Sequence, residues 1–164
     1  QGAHKLNAII PEAVSLMDKD TRNMLNLIHI AGKNDLEEVG ISYEKIGIKN
    51  RVFSFTEHMA RLYNECDFVI SRAGAMTVSE LLTLEIPAIL VPYPYAGGHQ
   101  KLNAMVLEKI GSGVLLEEKN LTPCAMRDAI LKLMDRNILR DMSNRAKHID
   151  KPDTCKILIK ELYR

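Results

Sequence analysis

The sequence has no tryptophan and only three cysteines, and its 22 basic residues nearly balance its 21 acidic ones. Because the cysteines are odd in number, far apart and in no paired spacing, they indicate a reducing compartment, and we predict a cytoplasmic location. The formal net charge of +1 is spread along the chain. This distribution argues against a nucleic-acid partner. The five histidines show no spacing typical of a metal site.

Long hydrophobic runs are also absent. No apolar run approaches the roughly 18 residues that span a bilayer, and no basic segment followed by an apolar one opens the chain. Internal repeats, low-complexity tracts and flexible linkers are missing as well. A chain of 164 residues with 46% hydrophobic and 26% charged residues can nevertheless bury one core. We therefore predict a single domain over residues 1–164.

Short apolar runs alternate with helical patterns along this domain. The predicted strands are residues 25–30, 52–55, 68–71, 88–91 and 114–116. The predicted helices begin near residue 4 and after a cap at 34–35, and then cover 57–66, 77–84, 101–110, 122–134, 138–145 and 154–163. Strands of about four to six residues between helices of about ten predict right-handed βαβ units. The expected fold is α/β, Rossmann-like, with a doubly wound parallel sheet covered on both faces.

In such a sheet, ligands bind where the carboxyl ends of strands meet helix N-termini. Residues 71–77 leave an apolar strand, pass Gly74 between Ala73 and Ala75, and open a helix whose first amides are unpaired. This turn predicts an anion site, because the helix dipole and a close backbone approach both favour phosphate oxygens. The alternative is a tight turn that needs Gly74 for backbone reasons alone.

Glu80 has two possible roles. Thr77-Val-Ser-Glu80 matches the capping box, in which the glutamate carboxylate bonds the amide of the cap residue. Alternatively, the carboxylate accepts hydrogen bonds from a ribose diol, as acidic residues do in other nucleotide sites. The local pattern by itself favours the cap.

Two further loops carry candidate ligands at predicted strand ends. His99 and Gln100 enter a helix after a loop of nine residues and could contact sugar hydroxyls or phosphate, although His99 could equally be an ordinary surface histidine. Phe55 could pack on a planar base while the Thr56 backbone pairs with it, although a core phenylalanine is the commoner explanation.

Taken together, these loops resemble the MurG family of bacterial transferases, which attach N-acetylglucosamine from its UDP donor to lipid I and form lipid II for peptidoglycan. The resemblance covers nearly the whole chain. Its motifs are Gln1-Gly2-Ala3, His29-Ile-Ala-Gly-Lys33, Phe53-Ser-Phe-Thr-Glu-His-Met-Ala60, Asp67-Phe-Val-Ile-Ser-Arg-Ala-Gly-Ala-Met-Thr-Val-Ser-Glu80, residues 87–92 and His99-Gln-Lys-Leu-Asn-Ala104. The run 71–80 with a downstream His-Gln-x-x-Asn-Ala is specific to this family and its near relatives.

The resemblance implies a UDP-N-acetylglucosamine site in the C-terminal half of a GT-B fold. The Thr56 backbone beside Phe55 would read uracil, and Glu80 would accept both ribose hydroxyls. The residues implied to lie at the diphosphate are Arg72, Gly74, Ala75, Met76 and Thr77. His99, Gln100 and Asn103 complete the implied substrate site on the sugar side. Ala73 and Met76 depart mildly from the family's usual Ser-Gly-Ala-Leu-Thr, and a backbone role survives both changes.

The resemblance also implies what this half does not contain. The reaction would be an inverting displacement without metal or cofactor, and no catalytic residue is expected in this chain. In the family, an N-terminal domain holds the lipid I site, the membrane patch and the general base, and we expect this domain and the first strand to be absent from the chain. The full-length enzyme would be peripheral on the cytoplasmic face of the inner membrane.

The sequence is compatible with two other functions. The chain could be a non-catalytic donor-binding subunit of a split UDP-sugar glycosyltransferase, whose other half is a separate chain. A nucleotide-sugar epimerase of similar architecture is the third possibility, but the sequence has no acid/base cluster to serve it.

Overall fold

The computed structural model describes residues 4–148. The strands are β1 (Asn26–Ile30), β2 (Lys49–Phe53), β3 (Val69–Ser71), β4 (Ala88–Leu90) and β5 (Gly113–Leu115). The helices are α1 (His4–Ser15), α2 (Lys19–Asn23), α3 (Leu36–Ile46), α4 (Met59–Asn64), α5 (Ala75–Thr83), α6 (His99–Ile110), α7 (Pro123–Leu133) and α8 (Arg136–Lys147), with a 3-10 helix at Glu118–Asn120. The predicted helix at 154–163 lies outside the described residues.

The five strands run parallel in two hydrogen-bonded groups. β1 pairs with β2, with His29 opposite Val52. β4 lies between β3 and β5, with Ile89 opposite Ile70 on one side and Val114 on the other. A helix connects each strand to its partner, as parallel pairing requires. The predicted α/β class with parallel strands is confirmed.

Alternation along β4 shows that helices cover both faces of its sheet. Ala88 and Leu90 pack into a cluster that includes residues of α5 and α6, whereas Ile89 and Val91 pack into a larger cluster with α1, α3 and α7. All four residues have 0% exposure. Because successive strand residues point to opposite faces, this sheet separates two helical layers as a doubly wound fold does.

Helix ends follow the sequence most closely where a strong capping signal exists. Thr122 is the N-cap of α7, its hydroxyl accepts from the Ala125 amide at 3.1 Å, and Pro123 takes the first helical position. Gly111 ends α6 in the left-handed conformation, with φ of 77°. Both ends agree with the prediction.

Two predicted features differ from the structure. β2 begins at Lys49 and ends at Phe53 rather than covering 52–55, because its first three residues are polar and give no apolar signal. Asp35 stands at the N-cap of α3, but its side chain makes no capping bond there. The Asp35 carboxylate accepts instead from Asn7 at 2.7 Å, which is a contact with a distant helix that local sequence does not encode.

Candidate functional site

The donor turn, defined as residues 73–77, leads from β3 into the first turn of α5 and leaves backbone donors free. Gly74 is the N-cap of α5, and its carbonyl accepts the first helical bond from the Val78 amide at 2.9 Å. The amides of Ala75, Met76 and Thr77 make no hydrogen bond within residues 4–148. No acidic residue stands in the first turn of α5. The positive end of the helix dipole is therefore uncompensated, an arrangement that binds anions.

The conformation of Gly74 excludes a backbone reason for its being glycine. Its φ of −62° and ψ of 147° lie in the extended region that any residue adopts. Among the described residues, a Cβ atom at this position would meet only the Thr77 hydroxyl oxygen, at an ordinary 3.7 Å. The interpretation that the turn needs glycine for backbone reasons alone is therefore wrong. Among the described residues, the space beside Gly74 is therefore open to a side chain.

Glu80 does not form a capping box. Because α5 begins at Ala75, Thr77 lies within the first helical turn and Gly74 is the cap. The Glu80 carboxylate instead accepts a hydrogen bond from the Tyr63 hydroxyl at 3.0 Å. Among the described residues no cation pairs with it. The capping interpretation is wrong, and the carboxylate keeps acceptor capacity for a ligand.

Gln100 and Asn103 hold the donor turn from one face of α6. Gln100 Oε1 accepts from the Ala73 amide at 3.2 Å and from the Tyr93 amide at 2.9 Å. Asn103 Nδ2 donates to the Ala73 carbonyl at 3.1 Å. These bonds join the donor turn, the loop after β4 and the start of α6. Because Oε1 already receives two donors, the Nε2 group is the part of Gln100 that remains for a ligand.

Arg72 is engaged by the protein itself. Its guanidinium forms an ion pair with Glu118, and both side chains are only 15% exposed. It also donates to the Val91 carbonyl at 3.2 Å and lies 5.3 Å from the centre of the Tyr93 ring. Arg72 therefore braces the loop after β4 against the 3-10 helix. Its contact with the diphosphate stays a prediction.

Phe55 and Thr56 follow β2 at the carboxyl end of the other strand pair. Phe55 is 69% exposed, so the interpretation as a core phenylalanine is wrong. The Thr56 hydroxyl accepts from the His58 amide at 3.0 Å, while its backbone amide and carbonyl have no partner between residues 4 and 148. No hydrogen bond in this range links the two residues to the donor turn.

Met76 and His99 are exposed at the starts of two neighbouring helices. Met76 is the second residue of α5 and is 79% exposed. His99 is the first residue of α6 and follows Gly98, whose φ is 79°. Both side chains are accessible from solvent. Their roles as ligands stay predictions.

A second polar cluster, the core network, consists of Asn7, His29, Tyr43 and Asp35 with the carbonyl of Ala31. Asn7 Nδ2 donates to the Ala31 carbonyl at 2.8 Å and to Asp35 at 2.7 Å. Its Oδ1 therefore accepts from His29 Nε2, 2.9 Å away, and His29 Nδ1 accepts from the Tyr43 hydroxyl, also at 2.9 Å. Burial lowers the pKa of His29 to about 4, against a weaker opposing effect of Asp35.

The sequence alone does not identify Tyr63, the partner of Glu80. Tyr63 lies on α4, is 6% exposed and precedes Glu80 by 17 residues. Burial, and then the hydrogen bond to Glu80, raises the pKa of Tyr63, so its hydroxyl stays protonated and donates. No local pattern joins these positions, because only the packing of α4 on α5 brings them together.

Residues 4–148 contain neither a membrane-spanning helix nor a metal-binding cluster. No helix there has the length and apolar character needed to cross a bilayer. No group of three or more histidine, cysteine, aspartate or glutamate side chains in the same range could hold a metal ion.

The glycosyltransferase family 28 C-terminal domain matches residues 1–156. A protein of Dichelobacter nodosus is 36% identical over 148 residues, which are 90% of this chain and 40% of that protein. One of Nitrosospira multiformis is 37% identical over 156 residues, or 94% and 43% of the two chains. Both are named UDP-N-acetylglucosamine--N-acetylmuramyl-(pentapeptide) pyrophosphoryl-undecaprenol N-acetylglucosamine transferase.

A solved structure extends the similarity to three dimensions. The crystal structure of Acinetobacter baumannii MurG matches with a TM-score of 0.86 and 30% sequence identity. The match covers 98% of this chain and 48% of that one. The chain thus spans less than half the length of each of these three relatives.

Proposed function

Because the chain belongs to the family of glycosyltransferase family 28 C-terminal domains, we propose that it binds UDP-N-acetylglucosamine for the transfer that converts lipid I to lipid II. The observation that carries this proposal is the donor turn, where neither the backbone conformation of Gly74 nor its packing among the described residues requires a glycine. A phosphate that approaches the backbone closely would give a reason for the glycine. The names of the two bacterial relatives specify this donor and this acceptor for those proteins.

The diphosphate would lie at the donor turn. The free amides of Ala75, Met76 and Thr77 are donors, and the helix dipole adds a favourable potential for negative charge. As the bond from the anomeric carbon to the diphosphate breaks, negative charge grows on the departing UDP. Fixed amides that already point at this charge stabilise it without reorganisation. This half would therefore act in an inverting displacement by stabilising the leaving group.

The nucleoside would be recognised at two other strand ends. The Glu80 carboxylate, which has no cation partner among the described residues, would accept the ribose hydroxyls. The unpaired Thr56 backbone would pair with uracil, and the exposed Phe55 ring would cover the base. Gln100 would offer its Nε2 group to the sugar, with His99 and Asn103 beside it.

The remaining functions would belong to the part of the relatives' length that this chain does not span. That part would bind lipid I, supply the general base and contact the membrane. We expect the complete enzyme to be a peripheral protein on the cytoplasmic face of the inner membrane. The 164-residue chain by itself is expected to bind donor and to transfer no sugar.

Calorimetric titration with UDP, UMP and UDP-N-acetylglucosamine tests this function. We expect UDP to bind about tenfold more tightly than UMP, because only UDP gives a second phosphate to the donor turn. A chain that is folded by circular dichroism and does not bind UDP would contradict the proposal. Equal affinity for UDP and UMP would contradict the placement of the diphosphate at the donor turn.

Substitution Glu80→Gln tests the ribose contact. Glutamine keeps the length of the side chain and can still accept from Tyr63, so we expect the free energy of unfolding to change by less than about 1 kcal/mol. UDP should bind about tenfold more weakly, because a charged acceptor is lost, and dUDP should be affected much less. An equal loss for the two nucleotides would show that Glu80 does not contact the 2′-hydroxyl.

A further inference from the structure

Among the described residues, Tyr63 is the side chain that forms a hydrogen bond with the Glu80 carboxylate. Its hydroxyl donates to Glu80 Oε2 at 3.0 Å, and no other hydrogen bond to this carboxylate is formed within residues 4–148. The two residues come from adjacent elements, α4 and α5. Since Glu80 also has no ion pair there, this bond is the polar contact that favours one orientation of a side chain with three flexible torsions.

The ring of Tyr63 is itself fixed by packing. It is 6% exposed and belongs to the same buried cluster as Val78 and Leu81, which flank Glu80 on α5. A buried ring held by its neighbours cannot follow a moving carboxylate. The hydroxyl is therefore a stationary donor to which Glu80 adapts.

The hydrogen bond also leaves room for a ligand. An ionised carboxylate has about four acceptor positions on its two oxygens, and Tyr63 uses one of them. Burial raises the pKa of Tyr63, so the hydroxyl remains a donor across the physiological range. Glu80 must then be the acceptor, and its second oxygen stays available to hydroxyl donors.

We propose that Tyr63 is a positioning residue that holds the Glu80 carboxylate in the orientation that receives the ribose hydroxyls. This inference rests on the proposed function, in which Glu80 is the ribose ligand. A carboxylate that is already oriented loses less rotamer freedom when the nucleotide binds. Tyr63 thereby contributes to the preference for ribose over deoxyribose without touching the nucleotide.

Substitution Tyr63→Phe removes the hydroxyl and keeps the ring. We expect UDP to bind about fivefold more weakly and dUDP less than about twofold, so that the ratio of the two affinities falls. Titrations should be made at a temperature where circular dichroism shows each variant folded. The double variant Tyr63→Phe/Glu80→Gln should bind UDP no more weakly than Glu80→Gln alone, because Tyr63 acts through that carboxylate.

Tyr43→Phe is the matched control. Tyr43 is 1% exposed, and its hydroxyl also makes one hydrogen bond, to His29 in the core network. Removal of this hydroxyl should lower the melting temperature and leave the ratio of UDP to dUDP affinity unchanged. The comparison separates the loss of any buried tyrosine hydroxyl from the loss of this one.

The outcomes distinguish this inference from the function on which it rests. If Glu80→Gln lowers the ratio of affinities and Tyr63→Phe does not, the positioning role is overturned and the ribose role of Glu80 stands. A Tyr63→Phe variant that weakens both nucleotides equally overturns it too, as would additive losses in the double variant. If the unsubstituted chain binds UDP and dUDP equally, the assignment of Glu80 fails and the inference fails with it.

Discussion

The donor turn and the core network are both polar, but they differ in where their partners lie. In the core network, Asn7 and His29 satisfy each other and the neighbouring backbone, with every contact between 2.7 and 2.9 Å. At the donor turn, three successive amides have no partner in the described part of the chain. Polar groups satisfied within the chain stabilise a fold, whereas oriented donors without partners are available for binding.

This difference separates two effects that are often confused in mutational work. A change in the core network should alter stability and leave nucleotide recognition alone. A change of the side chain at Gly74 should do the reverse, because among the described residues that position contacts only Thr77. The clearest test is a substitution that raises the free energy of unfolding and lowers the affinity for the nucleotide.

Gly74→Asp is expected to have the largest effect. Aspartate is a better N-cap than glycine and places a negative charge at a helix N-terminus, so the free energy of unfolding should rise by a few tenths to about 1 kcal/mol. The same carboxylate would fill the space beside the turn and repel a diphosphate. UDP affinity should fall by about a hundredfold or more, which calorimetry can measure beside thermal unfolding.

Two serine variants provide the controls for this result. Gly74→Ser should retain full stability and weaken UDP by about tenfold, because it adds bulk without charge. Gly98→Ser, at the N-cap of α6, should instead lower stability by about 1 kcal/mol, since glycine there adopts φ of 79°. Unchanged UDP affinity in Gly74→Ser would show that the space beside the donor turn is not used by the ligand.

Lowering the pH should reduce the free energy of unfolding through the core network, and we expect this effect to be intermediate in size among the predictions. Because burial lowers the pKa of His29 from 6.5 to about 4, the unfolded chain binds a proton that the folded chain rejects between these pH values. The stability that neutral His29 provides is complete above pH 6.5 and is lost as pH falls to about 4. We expect a decrease of about 2–3 kcal/mol over this window, measured by urea unfolding at a series of pH values.

The assignment of this acid effect can be checked by removing one histidine at a time. His29→Gln should be less stable at neutral pH and should lose most of the decline between pH 6.5 and 4, whereas His58→Gln, at an exposed position, should retain it. Hydrogen bonds from Asn7 and His4 lower the pKa of Asp35 below its ordinary value of 3.8. The stability that ionised Asp35 provides is therefore lost only as the pH falls below 3.8, outside the window assigned to His29. An unchanged decline in His29→Gln would contradict the assignment.

The sequence predicted the elements that carry strong local signals. Apolar periodicity located every strand to within a few residues, and the Thr122-Pro123 pair fixed the start of α7. The short helix α2 was missed because its five residues, Lys19–Asn23, are all polar and give no periodicity. The 3-10 helix Glu118–Asn120 was missed for the same reason.

The candidate site was predicted as a set of loops but not as a set of contacts. Thr77 and Glu80 matched a capping pattern, yet Ala75 and Met76 extend the helix two residues earlier and leave that pattern inside it. Arg72 pairs with Glu118, 46 residues away. Separations of this size depend on how the layers pack, which periodicity and turn chemistry do not determine.

Phe55→Ala is expected to have the smallest effect. It tests whether a residue that makes no hydrogen bond to the donor turn within residues 4–148 belongs to the same nucleotide site. Phe55 is 69% exposed, so its removal should change the free energy of unfolding by less than about 0.5 kcal/mol. If the ring covers uracil, UDP should bind about fivefold more weakly and inorganic pyrophosphate should bind unchanged. Weaker binding of both ligands would mean that the ring orders the donor turn. Unchanged binding of both would show that Phe55 is not part of the nucleotide site. No hydrogen bond between residues 4 and 148 joins Phe55 to the donor turn. If Phe55→Ala weakens UDP and leaves pyrophosphate binding unchanged, the bound nucleotide is what contacts both Phe55, after β2, and the donor turn, after β3.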